Sequence, residues 1–325
     1  MLTENILASP PVSFAGETGL RLCPDFPIDK IQPTNPLQHP DWDALVTGLQ
    51  NFSFFHSAAW AKVLFETYGY APNYFLAKGI NGIRSLLPLM EVNSWLTGRR
   101  GIALPFTDDC EPLCPDNGSF KTLFQNAIEF GKMRGWKYLE CRGGRKFFEQ
   151  VPASFLFYGH SLPLVSGEEQ LFGRLESSVR RAIRKGEKDG VTVEISQSLE
   201  AMKVFYRLHC KTRKIHGLPP QPFLFFSNIH RHILAQNSGI VAMANWKRTP
   251  VAASVYFHLG DRAIYKYGAS DKKFQHLRGS NLAMWEAIKF YLQKGVKKLH
   301  LGRTSMANEG LRRFKLGWGG FRCII

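Results

Sequence analysis

The chain has 325 residues, 44% hydrophobic and 13% aromatic, which suffices for two packed domains of about 150 residues and excludes a disordered polymer. Its 42 Lys and Arg against 26 Asp and Glu give a formal charge of +16, which draws in phosphate-bearing partners such as nucleotides, nucleic acid or anionic lipid headgroups. No run approaches the roughly 20 apolar residues that cross a bilayer, and the six cysteines form neither a CxxC pair nor a disulfide framework.

The N-terminal Met1-Leu-Thr-Glu-Asn lacks the basic start and apolar core of a signal peptide. A reducing cytoplasm is therefore expected, with the protein soluble or peripheral to a membrane. Residues 1–40 carry Pro10, Pro11, Pro24, Pro27, Pro33, Pro36 and Pro40, which forbid regular helix or central strand and predict a surface arm without chemistry. From Trp42 the pattern sharpens into an N-terminal α/β domain over 41–160. Ser57 caps a helix whose inner face is Trp60, Val63, Leu64 and Thr67, and Gly69 ends it. Residues 73–77 and 83–92 read as a hairpin about Asn81-Gly82, with Pro88 at an edge or bulge. A helix follows over 120–134, then a strand over 136–141.

The second half, 161–325, repeats this order. It begins with an extended segment over 155–162, a basic helix over 176–188 and a strand over 191–195. Helices over 199–214 and 223–236 are separated by Gly217-Leu-Pro219-Pro220. Strands over 239–246, 251–259 and 262–268 lead into a helix from Gly279 to about Lys294 and a strand over 297–301. Strand, short helical crossover and strand imply a right-handed parallel pair, whose carboxyl ends open a crevice beside the helix start that suits a small acyl donor. Gly135-Trp-Lys137-Tyr-Leu139 and Gly295-Val-Lys297-Lys-Leu299 echo one another at matching places, which favours two copies of one α/β fold.

Candidate chemistry gathers around that crevice. Phe314-Lys315-Leu-Gly-Trp318-Gly319 forms a loop that sets one lysine at its mouth, suited to a carbonyl oxyanion or to a phosphate. Gly302, Arg303 and Ser305 end the last strand, where ligands of open α/β sheets collect. Arg278, Gly279 and Ser280 open the helix, where free amides suit an anion. Arg180, Arg184 and Lys188 form one outward row of the basic helix, with Arg181 and Lys185 a second, a face that can grip phosphates. His209, Arg213 and His216 lie on or just past one helix without a third ligand at metal spacing, so no metal site is expected.

These residues also carry a resemblance. Phe55-His56-Ser-Ala-Ala-Trp60 with Tyr68-Gly69, Arg180-Arg-Ala-Ile-Arg184-Lys185-Gly, Pro250-Val-Ala252, Tyr265-Lys-Tyr267-Gly268, Trp285-Glu286-Ala-Ile, Leu301-Gly302-Arg303 and Phe314-Lys315 with Trp318-Gly319 resemble the FemAB-like branch of the GNAT-fold acyltransferases. That branch holds the peptidoglycan-bridge aminoacyltransferases and proteins associated with exopolysaccharide or PEP-CTERM genes. The resemblance implies a mixed α/β chain with two tandem, three-layer GNAT-like domains. It implies transfer of an acyl or aminoacyl group, from acyl-coenzyme A or aminoacyl-tRNA, to an amine of a cell-envelope sugar or peptide precursor. It assigns Lys315 to the reacting carbonyl and Arg213 to the phosphate of the substrate. By their places in the predicted elements, Arg278, Gly279, Ser280, Gly302 and Arg303 are expected to hold the donor, and Arg180, Arg181, Arg184, Lys185, Phe314 and Trp318 the substrate. The helical insertion of some bridge enzymes is missing from this sequence, which argues against tRNA. The rival reading is a non-catalytic basic module that holds RNA or an anionic polysaccharide.

Overall fold

A computed structural model of the chain describes residues 30–79, 82–148 and 151–325. Most of the proline-rich arm, up to residue 29, and Asn81 of the expected hairpin turn lie outside the described residues. The described chain forms two compact units that meet in sequence at Leu156 and Phe157. Among its described residues no helix is long and apolar enough to cross a membrane.

The N-terminal unit contains α1 (Trp42–Thr47), α2 (Ala58–Tyr68), β1 (Ala71–Pro72), β2 (Phe75–Gly79), β3 (Gly82–Leu87), β4 (Met90–Ser94), β5 (Gly98–Ile102), α3 (Asn117–Arg134) and β6 (Leu139–Glu140). The Ser57 hydroxyl accepts the Trp60 N–H, and Gly69 leaves α2 in the left-handed conformation, as the sequence foretold. Asp116 caps α3 and left-handed Gly135 ends it. Strands β1, β4, β5 and β6 make one sheet and β2 with β3 a separate hairpin. The single strand expected over 83–92 is therefore two strands of different sheets. Pro88 has no N–H for a ladder, and the chain changes sheet there. The strand expected over 136–141 shrinks to Leu139–Glu140, because Trp136 turns inward beneath Gly101 and Gly131. Helix α3 crosses from β5 to β6, which lie parallel.

The C-terminal unit runs through β7 (Phe157–Pro163), α4 (Glu168–Arg174), α5 (Ser177–Lys188), β8 (Val191–Ser196), α6 (Leu199–Ile215), α7 (Phe223–His232), β9 (Gly239–Trp246), β10 (Thr249–Leu259), β11 (Arg262–Ser270), α8 (Gly279–Gln293), β12 (Lys298–Ser305), α9 (Glu309–Leu316) and β13 (Phe321–Ile324). Its seven strands lie in the order β13, β7, β12, β11, β10, β9, β8. On one face Tyr256, Leu299 and Leu301 pack with Leu282, Ile288 and Tyr291 of α8 and with Val179 and Ile183 of α5. On the other, Tyr267 meets Phe205 of α6 and Phe225 and Phe226 of α7. Helix, sheet and helix are the expected three layers. The hairpin from β9 to β10 turns on Lys247 and Arg248, both at positive φ. This is an I′-type geometry that sequence pattern assigns to Asn and Gly instead.

One buried group on this sheet gives acid sensitivity. His258 of β10 sits beside the Tyr291 hydroxyl, 3.3 Å from its Nδ1. Burial, then the Lys294 ammonium, push its pKa down to about 4, against a smaller opposing hydrogen bond at Asn237. The unfolded chain takes up this proton near the ordinary imidazole value and the folded chain does not, so stability falls as pH drops from about 6.5 toward 4. Denaturant unfolding at pH 4.5 is expected to show about 2–3 kcal/mol less stability from this group than at pH 7. His258→Gln is expected to flatten the dependence by that amount.

Candidate active site

The expected parallel pair is present, and it is short. β11 and β12 pair only through Arg262 with Lys298, Ala263 with Leu299 and Ile264 with His300. Beyond these residues β11 stays on β10 as far as Ser270 opposite Ala252. β12 instead follows β7, to Ser305 opposite Phe157. The β11–β12 ladder therefore ends at Ile264 and His300, and from Tyr265 and Leu301 onward the two strands follow different neighbours. Both strands are shaped by a bulge. One falls at Lys266 of β11, between the pairs Val255–Tyr267 and Tyr256–Tyr265, and the other between His300 and Arg303 of β12. Bulges bend and twist a strand, which drives the two halves apart. Gly302, at φ 74°, supplies the left-handed residue of the second bulge.

Lys315 lies at this division. It is carried on the last turn of α9 and not in a loop, because Asn308 caps the helix by accepting the Leu311 N–H. Lys315 is 2% exposed, and its ammonium donates to the Arg303 carbonyl at 2.8 Å, on the divided half of β12. The Arg303 guanidinium itself lies over the Phe157 ring at 4.3 Å. Next along β12, Thr304 is buried, and its Oγ1 meets no hydrogen-bond partner among the described residues. Ser305 is exposed. Position at the strand's end singled out Arg303 and Ser305, whereas burial distinguishes Thr304.

Helix α5 links this region to the start of α8. At its beginning the Glu176 N–H donates to the Gly317 carbonyl at 2.9 Å, and a Cβ on Gly317 would lie 2.8 Å from Val179. One turn before its end, Gly186 fits against the Leu277 carbonyl and Leu282. Arg180 is half-buried and Arg181, Arg184 and Lys185 are exposed along this bridge. Arg184 rests over the Phe172 ring, and Lys185 pairs with Asp189 at 2.7 Å. At the start of α8, Arg278 is left-handed and no side chain caps the helix. Arg278 and Ser280 are exposed there. Gly279 serves packing, since a Cβ would meet Val251 at 3.0 Å and Ala244 at 3.3 Å.

Two expected substrate residues have other duties. Arg213 is buried, and its Nε and one terminal nitrogen donate to the Pro219 carbonyl at 3.1 and 3.0 Å, closing the turn that follows α6. Trp318 is 0% exposed and belongs to the core, with Phe314 edge-on to it at 6.1 Å. Its place two residues beyond α9 sets the indole in that core. Tyr265 stays protonated, because burial pushes its phenol up to about 12.

Residues 173–322 match the family described as acetyltransferase (GNAT) domain. This stretch is similar to GNAT domains. The chain shares its fold with the crystal structure of FemX, at 14% identity over 87% of this chain and 92% of that one, with a TM-score of 0.70. It is also similar to the C-terminal domain of a putative lysylphosphatidylglycerol synthetase from Agrobacterium fabrum, at 13% identity, 87% and 90% coverage and a TM-score of 0.55. A tandem GNAT protein from the clavulanic acid biosynthesis pathway gives 10% identity, 90% and 95% coverage and a TM-score of 0.53. No curated protein matches the chain by sequence. At these identities the likeness establishes fold, a two-unit GNAT-like architecture of the FemX kind. A GNAT fold implies an activated donor of the acyl-coenzyme A class. The C-terminal unit has two features on which such a donor can be placed: the division between β11 and β12, and a helix start without a side-chain cap.

Proposed function

We propose that the chain is an acyl or aminoacyl transferase whose C-terminal unit delivers the group to an amine of a cell-envelope sugar or peptide precursor, acting in the cytoplasm. The observation that carries this reading is the Lys315 ammonium, buried at the division between β11 and β12 and fixed on the Arg303 carbonyl. As the amine attacks, a C–N bond forms and the carbonyl oxygen takes negative charge. The donor's C–S or ester C–O bond then breaks, and the amine's proton leaves with the departing thiol or hydroxyl. A fixed N–H donor in a water-poor site stabilises that oxygen far better than one in water. Arg278 and Ser280 at the start of α8 bind the donor's phosphates, together with Gly302 and Arg303 at the opening. Arg180, Arg181, Arg184 and Lys185 attract the acceptor's phosphates, and Phe314 borders it.

The similarity to FemX and to the C-terminal domain of a putative lysylphosphatidylglycerol synthetase supports an envelope acceptor. Aminoacyl-tRNA is the alternative donor. The basic-module reading is disfavoured, since a lysine sealed from water adds nothing to polyanion binding.

Native mass spectrometry with coenzyme A, acyl-coenzyme A and charged tRNA in turn identifies the donor. Retention of one of these at micromolar concentration is expected. Retention of none, with no transfer to any amine, would overturn the proposal.

A further inference from the structure

The hairpin between β4 and β5 ends in Trp95 and Leu96, which are 96% and 73% exposed. Met133, on the last turn of α3, is 72% exposed. Large apolar side chains held so far into water mark a contact surface. They belong to one corner of the N-terminal unit. The Lys137 side chain runs across Gly98, where a Cβ would lie 2.6 Å from its Cε. The Arg99 guanidinium donates to the Arg134 carbonyl at 3.3 Å, and the Lys137 N–H to the Arg99 carbonyl at 2.8 Å.

The same corner is cationic. Arg99, Lys132, Arg134 and Lys137 are exposed, and Arg100 is half-buried. Two carboxylates answer them. Glu91 is buried beneath Arg134 and Trp136, which donate to it at 2.7 to 3.0 Å. Glu129 lies one turn before Met133 and accepts from Gln125. Three positive charges remain in excess around an apolar tip.

We propose that this corner docks the protein on an anionic lipid bilayer, with Trp95, Leu96 and Met133 entering the boundary between headgroups and acyl chains while the cations face lipid phosphates. The chemistry of the corner selects this partner. An indole is at home at a membrane interface, where its ring meets acyl chain and its N–H meets headgroup, and the adjacent Leu and Met need an apolar medium. Lys and Arg around the tip match the negative surface. An RNA would pair with the cations and leave Leu96 and Met133 in water. A protruding hairpin tip offers no groove for a peptide.

The test uses the full chain and sedimentation with vesicles of phosphatidylcholine alone or with 30% phosphatidylglycerol. Binding to the anionic vesicles and little to the neutral ones is expected. Trp95→Ala with Leu96→Ser is expected to weaken it about tenfold or more. Arg99→Gln and Lys137→Gln are each expected to weaken anionic binding by about fivefold, an effect that high salt removes. Unchanged unfolding midpoints confirm that the variants fold, and the donor-binding measurement is expected to be unaffected. Three results would overturn the assignment: equal or absent binding to both vesicles, undiminished binding of the Trp95/Leu96 variant, or a wild-type dimer that this variant turns into monomer with vesicle binding intact.

Discussion

Replacement of Lys315 by alanine is expected to lower turnover by about 10²-fold or more, with donor affinity little changed, because a single fixed oxyanion donor is worth about that much. The ammonium acts where charge develops, so its loss is read in kcat and leaves the ground-state complex bound. The substitution also strips the Arg303 carbonyl of a hydrogen bond made at 2.8 Å, which costs about 1–3 kcal/mol of stability when the group stays buried. Lys315→Met keeps most of the side-chain volume and separates the two effects, since it loses the N–H while filling the same space. Both variants are expected to give the same loss in turnover, and Met the smaller loss in unfolding free energy. Single-turnover transfer with saturating donor is the deciding measurement. Wild-type rates in a folded Lys315→Met protein would remove the oxyanion role.

Much of this arrangement is legible in local pattern. Ser57 and Gly69 bracket α2, β9 spans the expected 239–246, and the apolar face of Leu282, Trp285 and Ile288 marks α8. The parallel pair with its crossover helix also follows from element order. What escapes is set by contacts distant in sequence. β7 is inserted between β12 and β13, more than 130 residues later in the chain, and nothing in its own residues names those neighbours. The bulge opposite His160 shifts the phase of β12, so Thr304 turns inward and Ser305 outward. α9 looks like a loop because glycines stand at 310 and 317, yet Asn308 supplies a cap and the β7–β12 face supplies a floor. Arg213 reads as a free cation until Pro219, six residues on, is seen to turn its carbonyl toward it.

Removal of the Trp318 indole is expected to reach both fold and chemistry. The side chain is fully buried in the core cluster that also holds Leu175, Val179 and Leu299, so Trp318→Ala is expected to cost about 3–5 kcal/mol, the usual range for deleting a buried aromatic. Its Nε1 makes no hydrogen bond among the described residues, so Trp318→Phe forfeits volume alone and is expected to cost about 1–2 kcal/mol. The indole sits three residues after Lys315, and the intervening Gly317 is bonded to Glu176 at the start of α5. A cavity there loosens the turn that aims the ammonium. Turnover should therefore fall with Trp318→Ala at temperatures where the protein is still folded, while Trp318→Phe keeps most of it. A positioning role further requires that Trp318→Ala add little to the loss already caused by Lys315→Met, because the two act through one group. Full additivity in that double-mutant cycle would mean that Trp318 acts independently of Lys315, as a residue in contact with substrate would.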